Sequence, residues 1–199
     1  MRWTHRHTRD FVIHVGQFAE GESHFEIVPR LLPHEDRPPR GAIVAPRDIN
    51  FVTQGEFHVR MPKSGTLRMV EGAGAYPASQ AGRMRITCVT ATGEWLCLIP
   101  RQLDQFWGRD VIMLQPGESF ALKRSRRLRS VCVATGRASV RDQPYDPHTV
   151  IRVEPGRTGV ITAVSETRLL LMTAKGPASL KPMAHPDPSD WPVIEETPA

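Results

Sequence analysis

The stretch that decides the fold reads Val111-Ile112-Met113-Leu114-Gln115-Pro116-Gly117-Glu118-Ser119-Phe120-Ala121-Leu122. Two apolar runs flank a Pro-Gly pair. Proline presets φ for the first turn position and glycine takes the positive φ that follows, so the pair predicts a tight corner between two strands. The same punctuation recurs downstream, at Thr135-Gly136 after Val131-Cys132-Val133-Ala134, and at Pro155-Gly156 after Val150-Ile151-Arg152-Val153-Glu154.

Working outward, short apolar segments separated by Gly, Pro, Asp or Ser repeat from about residue 43 to 175. That spacing is the signature of a sandwich or barrel. Strands are expected near 49–53, 56–61, 66–70, 84–90, 95–99, 111–115, 119–123, 129–134, 137–141, 149–154, 159–164 and 168–174, with earlier alternating stretches at Phe11–Val15 and His24–Val28. The only helical candidate is a single turn around Pro100–Phe106. Pro29, Pro33, Pro38 and Pro39 predict an extended arm, since proline cannot donate to a sheet ladder. Six prolines after Gly176 predict a second arm, in which Trp191, Val193 and Ile194 are candidates for contact with a partner. The expected organisation is therefore N-terminal strands and a Pro-rich arm over 1–45, a jelly-roll over 46–175 and a Pro-rich C-terminal arm over 176–199.

At 199 residues with 40% hydrophobic and 24% charged residues, the chain has a globular composition. No run approaches the roughly 18 apolar residues that a spanning helix needs, so no membrane segment is expected. The basic N-terminus lacks a secretory apolar core, and Cys88, Cys97 and Cys132 sit in strand-like runs without metal-type spacing. Buried thiols and synthesis in the cytoplasm follow. The net charge of +5 is concentrated in Lys123-Arg124-Ser125-Arg126-Arg127-Leu128-Arg129. No aromatic residue interrupts that cluster, so nucleic acid is not the expected partner.

The order of corners, Pro116-Gly117, Thr135-Gly136 and Pro155-Gly156, resembles the cupin family. The resemblance implies an all-β fold, a jelly-roll or cupin-like barrel carrying extended N- and C-terminal arms. In that family a Pro-Gly corner leads to His-x-His and then Glu, a glycine hairpin follows, and a second Pro-Gly corner precedes a fourth ligand. Counted from the corners, those positions fall on Lys123, Ser125, Arg129 and Gly159. Protonated Lys and Arg have no lone pair to give a cation, so the expectation is no metal and no cofactor. Should Lys123 and Arg129 point inward, they would form an anion site, with Arg offering a bidentate fork; a register shifted by one would turn them to solvent. Residues 49–100 hold a looser echo, with Pro62–Gly65 near a corner position and Thr92-Gly93 near a hairpin. One jelly-roll or two small packed sheets is the reading this favours.

Other constellations carry less. His5-x-His7 has metal-like spacing but no third ligand nearby, His14 and His24 could meet as strand neighbours, His58 reads as a solvent-facing strand residue, and Gly72-Ala73-Gly74-Ala75 reads as a loop. No Gly-x-Ser-x-Gly elbow is present. Absent ligands and Pro-rich arms lead to the expectation of a non-enzymatic assembly protein, self-associating or part of a larger particle such as a phage virion. The alternative is a metal-independent cupin-like protein that binds a small anion through Lys123 and Arg129.

Overall fold

The computed structural model describes residues 1–25, 49–61, 65–75, 85–101 and 106–175. Every regular element among them is a strand. These are β1 (Arg2–His7), β2 (Phe11–Ala19), β3 (Ser23–Phe25), β4 (Ile49–Gln54), β5 (Glu56–Met61), β6 (Gly65–Val70), β7 (Gly74–Ala75), β8 (Arg85–Cys88) and β9 (Thr92–Pro100), then β10 (Phe106–Leu114), β11 (Ser119–Leu122), β12 (Arg129–Thr135), β13 (Ala138–Val140), β14 (Gln143–Tyr145), β15 (Val150–Val153), β16 (Gly159–Ala163) and β17 (Thr167–Lys175). Each expected strand is present among the described residues, the one at His24–Val28 as β3 up to Phe25, with residues 26–28 outside them. β1, β7 and β14 were not foreseen, and β7 takes up half of the Gly72–Ala75 stretch expected to be loop. Residues 102–105, where the helical turn was expected, lie outside the described residues, and Phe106 begins β10.

The chain divides into two compact units, one holding Met1–Arg6 with Asp10–Leu103, the other His7–Arg9 with Asp104–Ala199. The division therefore falls near residue 103 rather than at 45. The reason is long-range pairing: β2 runs antiparallel to β9 along all nine of its residues, from Phe11 opposite Pro100 to Ala19 opposite Thr92. The first strands thus pair into a sheet of the first unit, and residues 26–48, which hold the expected Pro-rich arm, lie outside the described residues.

Each unit is built from two antiparallel sheets. In the first unit the orders are β1-β2-β9-β4-β7 and β3-β8-β5-β6, and in the second β10-β17-β12-β15 and β11-β16-β13-β14. Facing apolar residues fill each interior. Val12, Phe18, Val52, Phe57, Val59, Met69, Ile86 and Trp95 are among those of the first, and Leu114, Leu122, Val131, Val133, Ile151, Val153, Ile161 and Leu169 of the second. Phe57 is the centre of edge-on ring contacts in the first core, 5.3 Å from both Phe18 and Trp95. Strands such as β12, buried from Arg129 to Ala134, are covered on both faces, which is why they read as continuous apolar runs without alternation.

The units repeat one construction in detail. Gly21 (φ 75°) and Gly117 (φ 83°) make the same corner, each donating its N–H at 2.8 Å, to the carbonyls of Cys88 and Ala163 respectively. The following Glu22 and Glu118 turn back to accept the amides of Ala19 (2.9 Å) and Gln115 (2.7 Å). Ser23 and Ser119 then pair their hydroxyls with Thr87 and Thr162, at 2.8 and 2.9 Å. The sequence signal is Gly-Glu-Ser at 21–23 and again at 117–119. The counterpart of Pro116-Gly117 in the first half is thus Glu20-Gly21, not the Pro62–Gly65 segment. A second shared corner follows a matching bulge, between Val52 and Gln54 in β4 and between Val133 and Thr135 in β12. It ends in Gly55 (φ 78°) and Gly136 (φ 75°).

Candidate anion site

Arg129 opens β12, and the register of its neighbours fixes where it points. Alternate residues on a strand share a face. Val131 and Val133 belong to the second unit's core, so Arg129 lies on the inward face with them. It stands opposite Val153 of β15 on one side and Thr173 of β17 on the other. The residue is 7% exposed. One terminal guanidinium nitrogen donates to the carbonyl of Arg157 at 3.0 Å, while Nε is shielded from solvent and has no hydrogen-bond acceptor among the described residues. Burial holds the guanidinium pKa below its usual value. Arginine stays protonated at neutral pH regardless, so a cation with a spare donor is held inside the sheet face.

Gly159 opens β16 opposite Leu122, a core residue, and therefore also faces inward. A Cβ added there would find no heavy atom within 4 Å, so there is room over this glycine. Arg129 reaches the same end, since its partner Arg157 is two residues before Gly159. The segments that bound this end are tied together by the Gly156 amide, which donates to the Ser125 carbonyl at 2.7 Å. Partly buried Ile112, Phe120, Val140 and Leu171 pack against the core from the inward side.

The two expected anion ligands are placed differently. β11 ends at Leu122, and Lys123 lies exposed in the segment that follows, whereas Arg129 is in the sheet and buried. Trp191, Val193 and Ile194 lie outside the described residues. His14 and His24 do not pair: His14 is opposite Cys97 in one sheet of the first unit and His24 opposite Ile86 in the other. His58 is exposed, as expected, with Nε2 3.7 Å from Glu56. All three cysteines are buried and none forms a disulfide, and burial pushes the pKa of the Cys132 thiol up to about 12. Among the described residues no three His, Cys, Asp or Glu side chains form a group that could hold a metal ion, and no helix is long and apolar enough to cross a membrane.

A polar rung in the first unit went unread in the sequence. Cys97 of β9 stands between His14 of β2 and Asn50 of β4, on the face that carries Trp95 and Ile99. The Trp95 indole N–H donates to Asn50 Oδ1 at 3.0 Å, and Asn50 Nδ2 is buried without an acceptor. The His5 ring lies 6.1 Å from that of His14.

Solved structures share this architecture over most of the chain. YhaK from Escherichia coli aligns with a TM-score of 0.54 at 14% identity, covering 88% of this chain and 87% of its own. GK1651 from Geobacillus kaustophilus gives 0.56 at 10% identity, covering 89% and 86%. A variant of salicylate 1,2-dioxygenase from Pseudoaminobacter salicylatoxidans gives 0.50 at 7% identity, covering 83% and 72%. The fold is cupin-like. No family model matches the sequence, and no curated protein matches it. The expectation of a virion component is overturned: the similar structures are cupin-fold proteins, an enzyme among them, rather than particle proteins. The Pro-rich segments suggested assembly because their composition suits an arm, but that composition is equally suited to loops around a barrel.

Proposed function

We propose that the chain is a cupin-like protein that binds a small anion at the Arg129 end of its second unit, without a metal. The observation that carries this reading is the buried Arg129 guanidinium with its unsatisfied Nε, beside the open face over Gly159. A buried cationic donor left without an acceptor costs roughly 1–3 kcal/mol or more, and an anion accepting from it removes that cost. The positions that would hold a cupin metal carry Lys123, Ser125, Arg129 and Gly159. Ser125 Oγ already accepts the Arg127 amide at 3.0 Å, Gly159 has no side chain, and Lys123 and Arg129 are cations. A divalent ion does not fit that set.

Titration calorimetry of the full chain against a panel of inorganic and organic anions tests the reading. Saturable binding is expected in the wild type and in Lys123→Ala, whose side chain is exposed, and a loss of at least tenfold in Arg129→Gln. Binding that survives Arg129→Gln undiminished would place the anion elsewhere.

A further inference from the structure

Resting on that reading, we infer that the anion is a monocarboxylate with an apolar body, its carboxylate on Arg129 and its body over Gly159 toward Leu122 and Phe120. Three features of the site favour this class over phosphate or a polyacid. The first is charge. Arg129 is the one buried arginine or lysine among the described residues of the second unit. One guanidinium neutralises one negative charge, and a dianion would bring a second into an apolar interior without compensation.

The second feature is the number of free donors. Arg157 O takes one hydrogen of Nη2, the terminal nitrogen on the same edge of the guanidinium as the unsatisfied Nε, and Nη2 carries a second hydrogen. Two neighbouring N–H groups on a planar guanidinium match the two oxygens of a planar carboxylate. A tetrahedral phosphate would present further oxygens to a largely apolar face, on which Thr173, opposite Arg129 and partly exposed, carries a hydroxyl.

The third is the wall. The inward face carries Leu122, Val131 and Val153, all buried, with Phe120, Leu171 and Ile112 partly buried against the same core. At Gly159, the position opposite Leu122, no side chain fills the face, and an added Cβ would touch nothing within 4 Å. Apolar surface left beside a buried cation is matched by a ligand that is charged at one end and hydrocarbon at the other.

The test titrates the full chain with acetate, butyrate, hexanoate, benzoate and inorganic phosphate in parallel. Affinity is expected to rise about threefold to fourfold with each methylene buried, and phosphate is expected to bind at least tenfold more weakly than hexanoate. Gly159→Leu, which fills the open face, should abolish the gain from acetate to hexanoate while leaving acetate bound. Its folding is checked by the unchanged acetate response and unfolding temperature. Phosphate binding more tightly than every carboxylate, with that binding lost in Arg129→Gln, would overturn this inference and leave the anion reading standing. No Arg129-dependent binding of any of the five anions would overturn both.

Discussion

In the first unit the rung across β2, β9 and β4 carries His14, Cys97 and Asn50, whereas the matching rung across β10, β17 and β12 of the second carries Asp110, Leu171 and Val131. The match is set by the shared bulge: Asn50 and Val131 each stand two residues before the valine at which the register shifts. Two residues further along, Arg129 of β12 stands opposite Thr173 of β17, and the first unit has Ile99 of β9 opposite Val12 of β2, while residue 48, the counterpart of Arg129, lies outside the described residues. Two interiors hung on the same corners carry different side chains at matching positions. The corners are what the fold requires, and the rungs are where it is free to vary.

The largest expected effect tests the first half of that statement. At Gly136 an added Cβ would come within 2.1 Å of the Glu166 carbonyl, and at Gly55 within 2.5 Å of the Thr92 carbonyl, both at positive φ. At Gly21 and Gly117 the same atom would meet nothing within 4 Å. Gly136→Ala and Gly55→Ala are therefore expected to destabilise by about 4 kcal/mol or more, because backbone must move. Gly21→Ala and Gly117→Ala should lose only the left-handed strain, about 1–2 kcal/mol. Urea unfolding of the four variants reads the difference, and equal losses across all four would break the argument from close approach.

The rungs are tested by exchange. Val131→Asn places in the second barrel the amide that the first tolerates, without an indole to pair with it, and should cost about 3 kcal/mol. Asn50→Val in the first barrel leaves the buried Trp95 N–H without its acceptor, for a loss of about 1–3 kcal/mol. If that hydrogen bond is the reason, Trp95→Phe should make Asn50→Val markedly less costly. A double-mutant cycle should then return a coupling of about 1 kcal/mol or more. A coupling near zero would mean that the indole and the amide act independently.

How much of this was legible follows from where each signal is stored. Corners are local: Pro116-Gly117, Thr135-Gly136 and Pro155-Gly156 declare themselves because turn geometry demands those residues. The strands between them could therefore be placed in order. Counting from the corners also placed Arg129 in the sheet, since β12 runs from it without interruption until the bulge at its far end. Lys123 is exposed after the end of β11 at Leu122, and a strand's last residue is set by pairing with β16, not by the sequence around it. The pairing of β2 with β9 joins segments roughly eighty residues apart, and no local pattern records it. That is why the first strands were not joined to the rest of the sheet and why the His14-Cys97-Asn50 rung stayed invisible. The repeated Gly-Glu-Ser was in plain view and would have revealed the second barrel.

A smaller effect separates the two faces of β12. Cys132 points away from the inward face of Arg129, Val131 and Val133, and it is wholly buried. Its thiol is raised from 9.0 to about 12 by desolvation. The folded state thus keeps a proton that the unfolded state releases, so this contribution to stability is complete below pH 9 and declines as pH rises from about 9 toward 12. Cys132→Ala should flatten that alkaline decline by up to about 1 kcal/mol per pH unit. In the native protein Cys132 should also resist thiol reagents at pH 8 until denaturant is added. Rapid native labelling of Cys132 would show that this face opens.

The smallest expected change in stability belongs to the residue with the largest expected role in binding. Arg129 holds a charge away from water with one hydrogen bond to Arg157 and no carboxylate hydrogen-bonded to it among the described residues. Replacing it with methionine keeps the length of the side chain, removes the desolvated charge and leaves one carbonyl, that of Arg157, to find water. Removing buried charges in favour of well-packed apolar residues is often neutral or stabilising. Arg129→Met should accordingly unfold within about 1 kcal/mol of the wild type, on either side, while its response to carboxylates disappears. In the first barrel the equivalent of Thr173 is the apolar Ile99, opposite Val12 of β2. A structural arginine would behave differently: Arg129→Met would then cost several kcal/mol and the anion response would be incidental. Thermal unfolding with and without hexanoate distinguishes the two, since only a binding residue yields a variant that is as stable as the wild type and no longer stabilised by ligand.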